Sequence, residues 1–342
     1  MGKTPTVRSW RIFYDRLLKN DEYRSSIDPS RYGPYHTYRE QFVRVDRLLK
    51  RYPRNITAIP IGTSVGGEPI WVFRVSNTEE AAEPRACFLV LSLLHAIEFV
   101  GAEANLALFQ RFVANMNKNP ALANREVHFL PILNPDGYLE VERELTKGRA
   151  RFHRGNRRGV DLNRNFGAFF SRRYLWHRVL RKIYDPGPRP FSEPETAALR
   201  SHLLEHRFDF ALSLHSFGGR FLFPYGGKRE KSRIDSWYRE TARALIDQQP
   251  HYGYKAGQLA RAFPLFLVRG SEADYLHETF GTRTLVVEIG RNGPRVLHPR
   301  NLLAPFPLFN PKDLQRELDN LMDPFFFFLS MNREKRGSDG RQ

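Results

Sequence analysis

The sequence predicts an α/β fold, a sheet covered by helices on both faces. Three observations carry this prediction. Strand-like apolar runs recur at 86–94, 127–133, 208–214 and 282–289, and the first of them is uninterrupted, the pattern of a strand buried on both sides. Stretches with apolar residues at the helical period lie between them. No linker, internal repeat or shift in composition divides the chain.

The elements follow in order. A helix-like stretch around Trp10, Phe13 and Leu17 precedes a Pro- and Tyr-rich link at 29–36, so residues 1–34 read as an N-terminal extension. Thr37 with Glu40 forms a capping-box signature, and Phe42, Val45, Leu49 and Tyr52 then share one helix face as far as Pro53. Alternating segments at 56–62 and 70–76, separated by Gly66-Gly67, predict a hairpin. After the run 86–94, Ala102, Leu106, Phe109, Val113 and Met116 mark a helix closed at Asn119-Pro120. The strand 127–133 ends at the turn signal Asn134-Pro135-Asp136-Gly137. Ser192, Pro194 and Glu195 are expected to open a helix that runs through His206, and Asn310-Pro311 to cap the last one. This organisation is one domain, 35–331, followed by a polar tail, 332–342.

A chain of 342 residues suggests about two domains at ~150 residues each, although single α/β domains of this length are common. Lys plus Arg number 54 and Asp plus Glu 37, a net charge of +17, which sets up a positive field for acidic partners. With 41% hydrophobic and 27% charged residues the chain is too apolar for a disordered protein. Cys87 is the only cysteine, which excludes an intrachain disulfide and a cysteine-based zinc site and leaves His and carboxylates as metal ligands. The first twenty residues contain no apolar core of a secretory signal, and the apolar runs fall short of the ~18 residues of a membrane span. A soluble, cytoplasmic protein without a membrane partner is therefore expected.

His95-Ala96-Ile97-Glu98 lies where the buried strand 86–94 gives way to a helix, the edge at which α/β sheets place their sites. A His and a Glu three apart at a helix start can point the same way and offer nitrogen and oxygen to zinc, although many surface helices contain such a pair. His215, at the end of the strand 208–214, supplies a third ligand, and two His with one Glu leave a fourth position for water. The other histidines, His202 and His206 among them, read as solvated. Arg151 to Phe166 is a basic run containing the ordered element Asp161-Leu162-Asn163-Arg164-Asn165, and an Arg beside an Asn suits a substrate carboxylate. Glu288 is the single acid in the apolar strand. Either it works as a general base or it is paired with an arginine, Arg291 being the nearest in sequence.

Taken together, these blocks resemble the zinc carboxypeptidase family over about residues 35–325. The resemblance rests on Gly62 to Ile70, His95 to Glu98, Asn134 to Tyr138, Arg151 to Phe166, Phe191 to Thr196, Leu214-His215-Ser216 and Glu288. It implies a mixed eight-stranded sheet flanked by helices, one Zn²⁺ held by His95, Glu98 and His215, and Asp161 as the residue that orients His95. It further implies Glu288 as general base toward the metal-activated water and Arg154 as the stabiliser of the oxyanion. Asn163 and Arg164 would bind the free C-terminal carboxylate of a peptide substrate, which makes 35–331 the catalytic domain of a C-terminal exopeptidase.

The chain also departs from the family pattern. Where many members carry a mobile Tyr, it has Leu265-Phe266-Leu267, and Phe217 stands where a Tyr is frequent. A spacing one residue longer than usual before Glu288 leaves either Glu272 or Ala273 facing the specificity pocket; Glu272 would select a basic C-terminal residue and Ala273 a neutral one. Two other functions fit part of the pattern. A zinc amidase or deacylase acting on murein peptides or N-acyl amino acids would keep the same metal site, whereas a noncatalytic polyanion-binding protein would use only the charge. The full set of chemical residues disfavours nucleic acid as the partner.

Overall fold

The computed structural model describes residues 7–77, 85–149, 151–172, 183–263, 266–291 and 305–332. Leu265 and all of the expected polar tail beyond Asn332 lie outside them. Eight strands, β1 (Ile56–Thr63), β2 (Pro69–Ser76), β3 (Ala86–Ser92), β4 (Arg125–Leu130), β5 (Phe210–Ser216), β6 (Arg220–Phe223), β7 (Lys255–Gln258) and β8 (Arg283–Ile289), form one mixed sheet. Their order is β1-β2-β4-β3-β5-β8-β6-β7. The central strands β4, β3, β5 and β8 are parallel, while β1 and β2 form the predicted antiparallel hairpin.

Side chains alternate across a strand, so the central strands feed two cores. Phe88 and Val90 of β3 pack on the side covered by helices Tyr38–Arg51, Phe99–Asn115 and Leu314–Ser330, whereas Leu89 and Leu91 meet helices Pro194–Glu205 and Glu272–Phe280 on the other. The helix Tyr38–Arg51 starts at the capping box read from Thr37 and Glu40. Within the stretch set apart as an extension, the helix Val7–Lys19 contributes Trp10, Phe13 and Leu17 to the first core. There Trp10 meets Trp71 edge-on at 5.1 Å and donates its indole N–H to Asp46.

Several local expectations need correction. The strands run Arg125–Leu130 and Phe210–Ser216, so Leu133 already belongs to a turn and His215 lies within its strand. Ser192 does not cap the next helix, because its hydroxyl is taken by the Asn165 amide and by Glu193; the cap position is Glu193. The last helix, Leu314–Ser330, is capped by Asp313, which accepts from the Arg316 N–H, and Asn310 is used elsewhere. His202 is buried, not solvated. β6 and β7 have four residues each, too short to leave a periodic signal.

The parallel core fixes where chemistry can sit. β3, β5 and β8 run the same way and end at one edge, and the register pairs His215 with Glu288. The chain leaving β3 reaches His95 there.

Candidate metal centre and active-site cleft

Each of the three candidate ligands is held by a different local device. Beyond β3, Leu93 takes a left-handed φ of 55°, uncommon for a branched side chain, as the chain turns toward His95. Glu98 immediately precedes the helix Phe99–Asn115, whose first turn has no cap from its own sequence neighbours. Asn310 supplies it from far along the chain, accepting from the Val100 N–H at 2.9 Å and donating to the Ile97 carbonyl at 2.7 Å. A Cβ on Gly101 would lie 2.7 Å from the Leu214 carbonyl oxygen, so glycine lets this helix rest on β5 beside His215.

These devices bring one atom from each ligand together. His95 Nδ1 and His215 Nδ1 are 3.2 Å apart; Glu98 Oε1 lies 2.9 Å from the first and Oε2 3.0 Å from the second. The far nitrogens of both rings face carboxylates: His95 Nε2 meets Asp161 Oδ1 at 3.2 Å, and His215 Nε2 meets Glu272 Oε1 at 3.1 Å. An Nε2–H donated to each carboxylate leaves both Nδ1 lone pairs aimed at one point, where neither has a hydrogen to share. A tetrahedral zinc with Zn–N of about 2.0–2.1 Å spaces its nitrogens by ~3.3 Å, so the donor set fits that ion.

The electrostatics agree. Burial by itself would raise the Glu98 carboxyl, but His95 and His215 outweigh it and bring its pKa down to about 2. Burial likewise disfavours charge on His215, yet the bonds to Glu272 and Glu98 raise its pKa well above the ordinary value. Asp161 is held ionised against its burial by Arg154, Arg164 and His95. Positive charge is drawn to this point, as a proton or as a metal cation held by the Nδ1 atoms and Glu98.

The remaining predicted residues divide between the cleft and its supports. Arg154, pinned through its Nε to Asp161 Oδ2 at 2.8 Å, reaches to 4.0 Å from Glu98 and lines the cleft. Arg164 also lines it, anchored on the Asn163 carbonyl at 2.6 Å. Asn163 borders the same cleft; its side-chain oxygen accepts from the Glu272 N–H, and its amide nitrogen lies 3.4 Å from His215 Nε2, which is already donating to Glu272. Glu288 opens into the cleft beside His215. No ion pair or hydrogen bond occupies its carboxylate among the described residues, while Arg291 lies over the Tyr252 ring instead. Dense surroundings push its pKa up to about 7, with Glu98 and Glu272 adding to burial against His215 and Arg154.

Glu272 requires the clearest correction. It does not face a specificity pocket: it is fully buried, with Oε1 bound to both His215 and Ser213. Its neighbour Ala273 instead joins the apolar cluster of Leu222, Leu259, Val268 and Val286, four residues that wall the cleft.

Sequence reasoning passed over two participants. Tyr184 lines the cleft, with the guanidinium groups of Arg154 and Arg164 at 5.1 and 5.6 Å from its ring centroid. It also lies 6.1 Å from Phe266, in the segment where the family's mobile Tyr is absent. No periodic or motif signal surrounds it. Asn156 is held by Glu193 and Glu195 at 2.9 and 3.1 Å, which ties the basic loop to the start of helix Pro194–Glu205. The whole cleft encloses about 310 Å³.

A parallel-centred α/β sheet that brings two His and one Glu together at its edge, beside a cleft lined by the carboxylate of Glu288 and by Arg154, Arg164 and Arg220, defines a metallohydrolase site. Residues 43–307 match the family model described as zinc carboxypeptidase. The chain belongs to that family. Carboxypeptidase B of Helicoverpa zea is 28% identical over 288 residues, 78% of this chain and 66% of that protein. Carboxypeptidase O of Bos taurus is 26% identical over 295 residues, 81% of this chain and 75% of that one. Among solved structures, thrombin-activatable fibrinolysis inhibitor shares the fold with a TM-score of 0.69 at 20% identity, over 93% of this chain and 80% of that one. Carboxypeptidase A from Helicoverpa armigera does so with 0.65 at 24% identity, over 93% and 81%. The chain thus spans about two thirds to three quarters of the length of these two curated relatives.

Proposed function

We propose that this protein is a zinc-dependent exopeptidase that removes the C-terminal residue of peptides with a free terminal carboxylate and prefers a neutral, apolar side chain there. The observation that carries the reading is the convergence of His95 Nδ1, His215 Nδ1 and Glu98 beside the carboxylate of Glu288, which has no partner among the described residues. His95, Glu98 and His215 would hold one zinc ion, which supplies Lewis-acid polarisation of the scissile carbonyl and acidifies water. Glu288 takes the proton from the attacking water and returns it to the leaving amine. Arg154 faces the negative charge that develops on the carbonyl oxygen, held ready by Asp161. Arg164 receives the terminal carboxylate of the substrate, with Asn163 beside it.

The side-chain preference rests on the cleft wall. Leu222, Leu259, Phe263, Val268 and Val286 line it, and among the described residues its only carboxylates are Glu98 and Glu288. A lysine or arginine side chain among the apolar residues would find no partner, a loss larger than that of a misfitting methylene. Arg220 is also at the wall, where its guanidinium is turned to the Ala262 carbonyl at 3.3 Å. The test combines metal analysis with hydrolysis of N-blocked dipeptides. About one tightly held zinc at this centre, turnover of substrates ending in Phe or Leu at least ~10-fold faster than those ending in Lys, and no turnover after amidation of the terminal carboxylate are expected. Equal hydrolysis of free and amidated peptides overturns the exopeptidase reading.

A further inference from the structure

Three histidines outside the catalytic edge also converge. His128 lies on β4, His202 in the last turn of helix Pro194–Glu205, and His206 at the C-cap of that helix. One nitrogen from each lies within 4.8 Å of those of the other two, and the ring centroids are 4.5 to 5.0 Å apart. Spacing of i, i+4 puts His202 and His206 on one helix face, and the even-numbered residues of β4 face that helix.

We propose that His128, His202 and His206 form a second binding site for a divalent transition-metal ion of the zinc type, one that ties the end of helix Pro194–Glu205 to the central sheet. Chemistry and geometry agree in three respects. First, His128 Nε2 meets Glu126 Oε1 at 3.0 Å. A carboxylate accepting the far N–H of an imidazole selects the tautomer whose other nitrogen carries the lone pair, the arrangement that supports metal-bound histidine. Second, that other nitrogen, Nδ1, points to His202 Nε2 at 2.9 Å, so the lone pair is directed into the cluster. When a metal enters, the His202 proton moves to its own Nδ1 and both imidazoles stay neutral. Third, three imidazoles are the donors that zinc, copper, nickel and cobalt accept, and a hard ion such as magnesium would find no oxygen set here.

Access and purpose follow from burial. His128 and His202 are buried and His206 is partly exposed, so the site opens to solvent on one side, where water completes the coordination. Burial also disfavours protonation of His202 and His128, which keeps their nitrogens available as donors. The same helix begins at Glu193 and Glu195, which hold Asn156 in the loop between Arg154 and Asp161. An ion at its far end therefore stabilises the helix without touching the catalytic residues.

The experiment uses untagged full-length protein, stripped with a chelator, reloaded with Zn²⁺ and desalted, with metal counted per chain. Wild type should retain two equivalents, Glu98→Ala one and His206→Ala one; the last variant should keep its peptidase activity. Zn²⁺ beyond the first equivalent should raise the Tm of wild type and leave that of His206→Ala unchanged. Affinity at the second site should fall ~100-fold or more in His206→Ala, since even an outer carboxylate contributes 10–100-fold. A single equivalent in wild type that is lost in Glu98→Ala and kept in His206→Ala overturns the proposal, as does a second equivalent that survives in His206→Ala with unchanged affinity. Because His206 is partly exposed, its variant folds; the wild-type count stands independently of it.

Discussion

At the scale of single residues, the centre is a contest between burial and charge that charge wins at some groups and loses at others. Glu98 and Asp161 stay ionised because cations adjoin them, while Glu288 lacks a close partner and rises to about 7. A base must be deprotonated to work, so kcat/KM should rise with pH through the Glu288 titration and level off above it. A bound dication lowers the pKa of a neighbouring carboxyl, which places the midpoint of this acid limb at or below about 7 in a pH profile of the zinc-loaded protein. Glu288→Gln removes the proposed proton acceptor and none of the three proposed metal ligands; kcat should drop by roughly 10²–10⁴ while zinc content is unchanged. Glu272→Gln tests the opposite kind of residue. Because it orients His215 and does not face substrate, zinc affinity should weaken by about 10–100-fold in chelator competition, with the ratio of Lys- to Phe-ending substrates unaltered.

Elements carry their own consequences. The helix Phe99–Asn115 starts directly after Glu98 and relies on Asn310, which satisfies an orphan donor in its first turn and a carbonyl just before it. Asn310→Ala leaves the Val100 N–H buried and unpaired, while the Ile97 carbonyl keeps the Phe99 N–H as a donor, so urea denaturation should show a loss of about 1–3 kcal/mol. The same change should weaken zinc binding, since Glu98 sits on the turn that Asn310 holds. The helix Val7–Lys19 shows why an N-terminal stretch is not dispensable merely because a link follows it: Trp10, Phe13 and Leu17 complete the aromatic core above β2.

For the whole molecule, the relevant property is the field. The net charge of +17 is far more than Arg154 and Arg164 account for, and a field of that sign would draw the proposed carboxylate-bearing peptides over distances that salt controls. Raising ionic strength from ~0.01 to 0.15 M shortens the screening length from ~30 to ~8 Å. Stopped-flow association of a peptide with a free terminus should slow accordingly, and kcat should not change. No helix among the described residues is long and apolar enough to cross a membrane.

The α/β class, the capping box at Thr37 and the donor set His95, Glu98, His215 were legible in the sequence by itself, because they depend on local periodicity and on residue types at strand ends. The single cysteine likewise left only imidazole and carboxylate for a metal. What the sequence leaves open, and tertiary structure alone decides, is which side of a residue faces the cleft. Glu272 and Ala273 are adjacent in the chain, but the packing of helix Glu272–Phe280 sends the acid to His215 and the methyl group to the apolar wall. Asn310 reaching Val100, Tyr184 beneath two arginines and His128 meeting His202 are pairings between distant segments, set by how layers stack and carrying no local pattern. Local order follows from neighbours along the chain, whereas the site's selectivity follows from neighbours across space.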